Sequence, residues 1–227
     1  LTMTDSINVL AEAIRESERT VFFTGAGIST ESGIPDFRSP NTGLWNKVQP
    51  IQFQDFIRSE EIRKESWSRK FAGISNMEAA KPNLGHQALV ELFALGKCHG
   101  VITQNVDNLH QESGLPEELI VELHGNATYA KCLNCGKRYQ LDLIKKEFEK
   151  NGSVLPCPTC GGIIKTATIS FGQAMPEEEM KLAANMTEAC DLMIVLGSSL
   201  TVYPAAAFPE KVASSDRPLV IINREPT

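Results

Sequence analysis

Five short apolar segments recur along the chain, each bounded by Gly, Asn or Pro. They are TVFFTG at residues 20–25, GVITQN at 100–105, LIVELHG at 119–125, DLMIVLGSS at 191–199 and PLVIIN at 218–223. Continuous apolar runs of this length, rich in β-branched residues, are typical of strands that are buried on both faces of a parallel sheet. We therefore predict that these segments are strands of such a sheet.

In much of the sequence outside these strands, apolar residues recur at helical spacing. Asp5 or Ser6 is a candidate N-cap for a first helix. Its apolar positions are Ile7, Leu10, Ala11 and Ile14. Further helices are predicted over residues 86–95, over residues 176–189 and from near Pro204 onward. Strands that alternate with helices predict an α/β protein with a Rossmann-like parallel sheet and helices on both faces.

Two segments interrupt this alternation and have the character of insertions. Residues 34–85 are polar, contain several prolines and are mostly helical in pattern, and residues 128–166 contain four of the six cysteines. We expect the two insertions to fold together as a small domain beside the main sheet. The Rossmann-like domain then comprises residues 1–33, 86–127 and 167–227.

The composition narrows the class of function. The chain has 227 residues, 42% of them hydrophobic and 22% charged, which is ordinary for a globular protein. Its net charge of −6 offers no basic surface for nucleic acid. No apolar run reaches membrane-spanning length, and the first residues show no signal-peptide pattern. We expect a cytoplasmic protein that binds neither nucleic acid nor membranes directly.

The first strand ends in GAG at residues 25–27, two of the three glycines of a dinucleotide-binding loop. Such glycines let the backbone approach a pyrophosphate, and the following helix offers N–H donors. Thr30 occupies the place of the third glycine, so a tight turn without a ligand remains an alternative. Residues 36–38 (Asp-Phe-Arg) then place an acid, an aromatic ring and a base near the turn, although a surface loop also carries such residues.

Polar residues follow two of the other strands. Gln104, Asn105 and Asp107 come directly after the second strand, at the edge where open α/β sheets bind ligands. An ordinary polar turn, in which Asp107 or Asn108 caps the next helix, is the alternative. GSS at residues 197–199 follows the fourth strand in the same way, and a plain strand-end turn is the alternative there.

The paired cysteines indicate a metal site. Two C-x-x-C motifs are separated by 21 residues, and four thiolates suit tetrahedral zinc. A disulfide pairing is the alternative. A catalytic zinc hydrolase would need an open position and a His or carboxylate ligand, which this segment does not supply. The sequence therefore predicts a structural zinc ribbon with the ligands Cys132, Cys135, Cys157 and Cys160.

The motifs GAGIST, GIPDFR, TQNVDNLH, LHGN, the cysteine pairs, GSSLTVYPAA and INREPT occur in one order. In this combination the chain resembles the sirtuin family, the NAD-dependent protein-lysine deacylases, from about residue 7 to its last residue. It is most similar to compact prokaryotic members. The resemblance implies a Rossmann-like domain with a small domain made of a zinc ribbon and a helical insert. It also implies NAD as a consumed co-substrate, structural zinc and acyl-lysine proteins or peptides as substrates.

The resemblance assigns residues to NAD. It implies that the glycine turn holds the phosphates, that residues 36–38 belong to a mobile loop over the nicotinamide end, and that Asp107 binds the nicotinamide amide. Gln104 and Asn105 would line the ribose and an ordered water, with a catalytic part for Asn105. The implied set is Gly25, Ala26, Gly27, Ser29, Asp36, Phe37, Arg38, Gln104, Asn105, Asp107, His124, Gly197, Ser198, Ser199, Asn223, Arg224 and Glu225.

His124 matches the catalytic histidine of the family, and an ordinary pKa of about 6.5 suits a general base. In the implied reaction the acyl oxygen attacks C1′ of the nicotinamide ribose and nicotinamide leaves. His124 helps to deprotonate the ribose hydroxyls, and free lysine and an O-acyl-ADP-ribose are released. The enzyme forms no covalent intermediate in this scheme, so Cys98 and Cys190 are interpreted as core residues.

The resemblance also implies a peptide-binding segment in ISFGQAMP at residues 169–176. Its implied substrate contacts are Ile169, Phe171, Gly172, Gln173 and Val202. Many relatives have an acid in place of Gln173, which leaves the preferred peptide charge open. Trp67-x-x-Lys70 is the nearest match to the Tyr-x-x-Arg pair of desuccinylating relatives. Lysine does not replace the arginine fork, so we expect Trp67 in a core, Lys70 in solvent and uncharged acyl groups.

Two other functions compete with deacylation. One is a mono-ADP-ribosyltransferase or NAD hydrolase on the same fold, and the other is a zinc-ribbon binding module with a degenerate nucleotide pocket. The intact set Asp36, Asn105, Asp107 and His124 favours deacylation.

The resemblance to sirtuins also has implications for the domains. Residues 34–85 would hold the cofactor-binding loop and helical insert, and residues 128–166 would be the zinc-binding insert. The resemblance further implies a monomer.

Overall fold

The computed structural model describes residues 3–36 and 49–227. Its helices are α1 (Met3–Glu16), α2 (Phe53–Arg58), α3 (Glu60–Ala79), α4 (Leu84–Ala94), α5 (Leu109–Glu112), α6 (Leu141–Asn151), α7 (Glu177–Ala189) and α8 (Ala207–Ala213). Its strands are β1 (Thr20–Thr24), β2 (Gly100–Thr103), β3 (Ile120–Glu122), β4 (Gly125–Cys132), β5 (Arg138–Gln140), β6 (Ile164–Thr168), β7 (Leu192–Leu196) and β8 (Leu219–Ile222). None of these helices is long and apolar enough to cross a bilayer.

The five predicted strands form one parallel sheet in the order β3-β2-β1-β7-β8. From the central strand β1, the chain adds β2 and β3 on one side and later adds β7 and β8 on the other. The direction of winding therefore reverses between β1 and β7, whose last residues Thr24 and Leu196 are paired. Open α/β sheets bind ligands at the carboxyl ends of the strands beside such a reversal, so the fold itself marks this edge as a candidate site.

Side chains of the main sheet alternate between two apolar cores, one on each face. Val21 and Phe23 of β1 pack with residues of α7 and α8, whereas Phe22 packs with residues of α1 and α4. All five residues of β1 are buried. Burial on both faces explains why these strands are continuous apolar runs. A parallel sheet with helices on both faces confirms the predicted fold class.

A second, antiparallel sheet has the order β5-β4-β6. Its core takes apolar side chains from both insertions: Trp67 of α3 is buried beside Leu141 and Ile144 of α6. The rings of Trp67 and Phe71 stack with their centroids 5.5 Å apart. Among the described residues, the helical insert and the cysteine-containing insert thus share one hydrophobic cluster.

The helix ends differ from the predicted ones. Asp5 and Ser6 lie inside α1, so neither is its N-cap, and Asp5 instead places an acid in the first turn, where it complements the helix dipole. α4 begins at Leu84, two residues before the predicted start, because the asparagine before it caps the helix. The last predicted helix begins at Ala207 and not near Pro204, after a turn.

Candidate active site

The backbone turns after β1 and β7 pack directly against each other. A Cβ added to Gly25 would lie 2.6 Å from the carbonyl oxygen of Gly197, and one added to Gly197 would lie 2.3 Å from the nitrogen of Ile28. The N–H of Gly27 donates to the carbonyl oxygen of Gly197 at 2.8 Å. Gly197 also has a φ of +63°. These positions require glycine, and the sheet edge therefore presents bare backbone to a ligand.

A cleft of about 1080 Å³ opens at this edge. Ser29 and Asp107 do not line the cleft and are buried. Phe37 and Arg38 lie outside the described residues. The other residues assigned to NAD or substrate all line the cleft: Gly25, Ala26, Gly27, Asp36, Gln104, Asn105, His124, Ile169, Phe171, Gly172, Gln173, Gly197, Ser198, Ser199, Val202, Asn223, Arg224 and Glu225.

Two side chains after β2 connect that strand to the two glycine turns. Asn105 donates through Nδ2 to the carbonyl oxygen of Gly25 at 3.0 Å. The hydroxyl of Ser198 donates to Oε1 of Gln104 at 2.7 Å. Both side chains after β2 are therefore held in fixed orientations at the wall of the cleft.

Asp107 makes the contact of a helix cap and also contacts the loop after β1. Its Oδ1 accepts the N–H of Leu109, the first residue of α5, at 3.0 Å. Its Oδ2 accepts a hydrogen bond of 2.6 Å from the hydroxyl of Ser29, which belongs to the 3₁₀ helix Ala26–Ser32 after the glycine turn. Asp107 thus contacts the start of the next helix, as a polar turn would, and also links β2 to the loop after β1.

His124 follows β3, and its side chain contacts a backbone carbonyl oxygen. Its Nδ1 lies 3.1 Å from the carbonyl oxygen of Gln104. Because a carbonyl oxygen only accepts, Nδ1 carries the ring proton and Nε2 keeps a lone pair. Burial lowers the pKa of His124 below its ordinary value, partly offset by the hydrogen bond to Gln104. The cleft therefore contains a neutral imidazole with an available proton acceptor.

The segment after β6 begins beside this histidine. The N–H of Ile169 donates to the carbonyl oxygen of His124 at 2.8 Å, and the carbonyl oxygen of Phe171 accepts the N–H of Phe53 at 2.9 Å. Oε1 of Gln173 accepts the N–H of Ser170 at 3.1 Å and closes the loop. Phe171 is 42% exposed. The cleft thus has an uncharged wall, formed by a turn after β6 that is fixed at both ends.

The four paired cysteines converge at one point. Their sulfur atoms all lie within 4.8 Å of one another, with Cys132 and Cys160 at 3.4 Å and Cys135 and Cys157 at 3.7 Å. These separations exceed a disulfide bond and approach the sulfur–sulfur separation of about 3.8 Å that a tetrahedron with Zn–S bonds of about 2.3 Å requires. The donor set therefore fits zinc. None of the four lines the cleft, so such an ion has a structural place.

The chain matches a known protein family over most of its length. The model of the Sir2 family matches residues 25–204 of the chain. The chain belongs to the Sir2 family. The resemblance to sirtuins predicted from the motifs is therefore confirmed.

Bacterial sirtuins are similar over almost all of this chain. The NAD-dependent protein deacetylase 1 of Bradyrhizobium diazoefficiens is 55% identical over 96% of this chain and 85% of its own length. The NAD-dependent protein deacetylase of Rhodopseudomonas palustris is 49% identical over 99% of this chain and 88% of its own length.

Solved sirtuin structures share the fold. A Sir2 complex with a deacetylated p53 peptide and 3′-O-acetyl ADP ribose superposes with a TM-score of 0.86 at 38% identity, over 97% of this chain and 88% of that chain. Sir2Tm bound to a propionylated peptide gives a TM-score of 0.83 at 37% identity, over 97% of this chain and 87% of that chain. A Sir2 complex with a p53 peptide and NAD+ gives 0.83 at 37% identity, over 100% and 88% of the two chains.

The two residues of the Trp-x-x-Lys pair in the helical insert of this sirtuin lie in different environments. Trp67 is 2% exposed and lies in the shared core of the small domain, as expected. Lys70 differs from the expectation of a solvated side chain, because its Nζ donates to the carbonyl oxygen of Ala127 at 2.7 Å. The isolated cysteines Cys98 and Cys190 are buried in the two cores of the main sheet, also as expected.

Several residues that line the cleft of this sirtuin were not predicted. Val106 lies between the predicted Asn105 and Asp107, so the motif itself contained the signal. Ile51, Met175 and Tyr203 also line the cleft. Met175 and Tyr203 belong to the motifs ISFGQAMP and GSSLTVYPAA, in which no role was assigned to them. Ile51 lies outside every quoted motif, so its part in the site depends on the tertiary fold.

Proposed function

We propose that this protein is an NAD-dependent protein-lysine deacylase, which transfers the acyl group of N6-acyl-lysine to ADP-ribose and releases nicotinamide and O-acyl-ADP-ribose. The observation that carries the proposal is the cleft, which is lined by a neutral histidine whose Nε2 keeps its lone pair, by a backbone cradle and by an uncharged wall. The names of the bacterial relatives, and solved complexes with NAD+ and with a propionylated peptide, support it.

The bare backbone at the carboxyl ends of β1 and β7 fits a dinucleotide. In this proposal the glycine turn and the backbone of Ser29 serve the phosphates, and the β7 turn serves the adjoining ribose. Bound NAD supplies the ribosyl carbon that accepts the acyl oxygen, with nicotinamide as the leaving group. The remaining NAD contacts are Asp36, Phe37 and Arg38 at the nicotinamide end, Gly197, Ser198 and Ser199 beside the ribose, and Asn223, Arg224 and Glu225 at the adenosine end.

His124 acts as the general base. Its Nδ1 proton is held by the carbonyl oxygen of Gln104, so Nε2 is the atom that removes a proton from a ribose hydroxyl. Asn105, fixed by the carbonyl oxygen of Gly25, orients an ordered water and the ribose. Asp107 receives the nicotinamide amide.

The peptide binds along the wall formed by Ile169, Phe171, Gly172 and Gln173, and Val202 of the same cleft is a further substrate contact. Strand-like pairing reads backbone and tolerates many peptide sequences. The wall carries no charged side chain, and Lys70 is engaged with Ala127. Acetyl and other uncharged acyl groups are therefore the preferred substrates.

The alternative of a mono-ADP-ribosyltransferase receives no support over deacylation from the named relatives. We include in the proposal the domain boundaries given above, a monomer, and the absence of direct nucleic acid binding, for which the acidic charge is the support. A cytoplasmic location is supported by four cysteines arranged for zinc and not for disulfides.

Mass spectrometry of matched acetyl-, butyryl- and succinyl-lysine peptides, each with and without NAD, tests this function. We expect NAD-dependent deacylation of the acetyl and butyryl peptides and much slower reaction of the succinyl peptide. Nicotinamide release without loss of any acyl group would contradict deacylation and favour the transferase or hydrolase. Faster reaction of the succinyl peptide would contradict the assignment of the acyl pocket alone.

A further inference from the structure

His86 is fully buried at the start of α4 and does not line the cleft. Asn83 is the N-cap of this helix, and its backbone N–H donates to Nδ1 of His86 at 3.2 Å. A backbone N–H only donates, so Nδ1 is the unprotonated nitrogen and Nε2 carries the proton. Burial also lowers the pKa of His86, which keeps the ring neutral. The helix cap therefore fixes the tautomer of this histidine.

The protonated Nε2 of His86 faces the loop after β1. It lies 3.5 Å from Oγ of Ser29, and the Ser29 hydroxyl in turn donates to Oδ2 of Asp107 at 2.6 Å. Both Ser29 and Asp107 are buried. Three successive donors thus point in one direction, from the Asn83 backbone through His86 and Ser29 to the Asp107 carboxylate.

The same cap also holds the backbone of that loop. Nδ2 of Asn83 donates to the carbonyl oxygen of Ile28 at 2.7 Å and to the hydroxyl of Ser32 at 2.9 Å. A Cβ on Gly85 would lie 3.1 Å from a side-chain carbon of Ile28. The start of α4 is therefore docked on the 3₁₀ helix that carries Ser29, and it contacts both its backbone and its buried hydroxyl.

We propose that His86 is a positioning residue for the nicotinamide end of NAD: through Ser29 it orients the carboxylate of Asp107. This inference rests on the proposed function, in which Asp107 receives the nicotinamide amide. A residue that only fills the core or caps α4 would affect all ligands and the fold alike. A residue that orients Asp107 affects ligands that contain nicotinamide.

A pair of His86 variants separates these two roles. Asparagine places an acceptor near Nδ1 for the Asn83 N–H but does not reach Ser29, whereas glutamine offers a donor near the position of Nε2. We expect His86→Asn to raise the dissociation constant of NAD, measured by calorimetry without peptide, roughly five- to tenfold. The dissociation constant of ADP-ribose, which lacks nicotinamide, should change less than twofold, and His86→Gln should restore NAD affinity to within about twofold.

Two further variants complete the test. Leu89→Val, at a buried position of the same helix, controls for lost stability and should weaken NAD and ADP-ribose equally or not at all. Ser29→Ala removes the middle of the chain of hydrogen bonds, so the double variant with His86→Asn should lose no more NAD affinity than Ser29→Ala alone. Additive losses, an equal loss for NAD and ADP-ribose, or unchanged NAD affinity in His86→Asn would overturn the inference. Failure of the wild-type protein to bind NAD would instead contradict the proposed function.

Discussion

At the residue scale, one carbonyl oxygen decides what His124 does. Contact with Gln104 places the ring proton on Nδ1 and leaves Nε2 as the base. Burial lowers the pKa of the ring, so the neutral form persists to lower pH than in an exposed histidine. The same side chain that the HG motif indicated is therefore prepared for proton removal by its surroundings.

His124→Ala should lower kcat by at least about 100-fold, because general-base catalysis contributes at least that much. In the wild-type protein, kcat/KM should fall on the acid side with an apparent pKa below the ordinary value of about 6.5, since protonation of Nε2 removes the base. Steady-state rates from pH 5 to 8 check both. His99→Gln, which changes a histidine outside the cleft, should retain activity, and an acid limb above about 6.5 would contradict the assignment.

Gly197 is under two constraints that can be separated by substitution. Gly197→Ala adds a Cβ in a left-handed backbone and against Ile28, whereas Gly96→Ala has a φ of +69° and nothing within 4 Å of the new Cβ. Left-handed strain costs about 1–2 kcal/mol in both. The contact should cost Gly197→Ala about 1–3 kcal/mol more and weaken NAD binding. Urea unfolding of both variants measures the difference, and equal losses would show that the close approach of the two turns is wrong.

At the element scale, the small domain depends on elements that are far apart in sequence. Helix α3 contributes Trp67 and Phe71 to a cluster whose other members come from the antiparallel sheet and α6. Two of its buried members, Cys132 and Cys157, also belong to the four-cysteine cluster that fits zinc. A bound metal and this apolar cluster would therefore stabilise one unit.

Cys157→Ala should release zinc and expose the insert to proteases, because three remaining thiolates hold the ion weakly and folding of such sites is coupled to the metal. Metal analysis after dialysis and limited proteolysis of residues 128–166 measure the two effects. Cys98→Ala provides the matched control, since Cys98 is also buried but lies in the core of the main sheet. Full zinc content in Cys157→Ala, or its loss in Cys98→Ala, would contradict the zinc assignment.

At the scale of the whole molecule, buried histidines connect stability to pH. His110 of α5 is 2% exposed, and burial lowers its pKa to about 3, with a smaller contribution from His86. The unfolded chain has a histidine pKa of about 6.5 and so binds more protons between these values. The stability present above about pH 6.5 is therefore lost progressively as the pH falls toward about 3.

Between pH 7 and pH 5, His110 should reduce the free energy of unfolding by about 2 kcal/mol. Urea unfolding of the wild type and His110→Leu at the two pH values isolates this contribution, because Glu122 and the other titrating groups are present in both proteins. The wild type should lose more stability than the variant. Equal losses in both proteins would show that His110 is not held neutral.

The sequence predicted the main sheet well because each strand is a continuous apolar run that ends in a motif. It predicted most of the residues that line the cleft, since strand ends of a parallel sheet converge at one edge, but Ser29 and Asp107 are buried and do not line it. The predicted cap of α1, Asp5 or Ser6, was wrong, because the helix begins at Met3. The sequence also did not predict that Lys70 donates to the carbonyl oxygen of Ala127. No motif singles out His86, and its alignment with Ser29 and Asp107 follows only from the docking of α4 on the glycine loop, which no local pattern encodes.

The most direct test of the account is the stoichiometry of the wild-type reaction with an acetyl-lysine peptide. Nicotinamide, deacetylated peptide and O-acetyl-ADP-ribose are measured together by mass spectrometry during a single time course. The account predicts that the three products form in equal amounts and that all three depend on NAD. Free acetate in place of O-acetyl-ADP-ribose, or nicotinamide formed in excess of deacetylated peptide, would contradict acyl transfer to ADP-ribose.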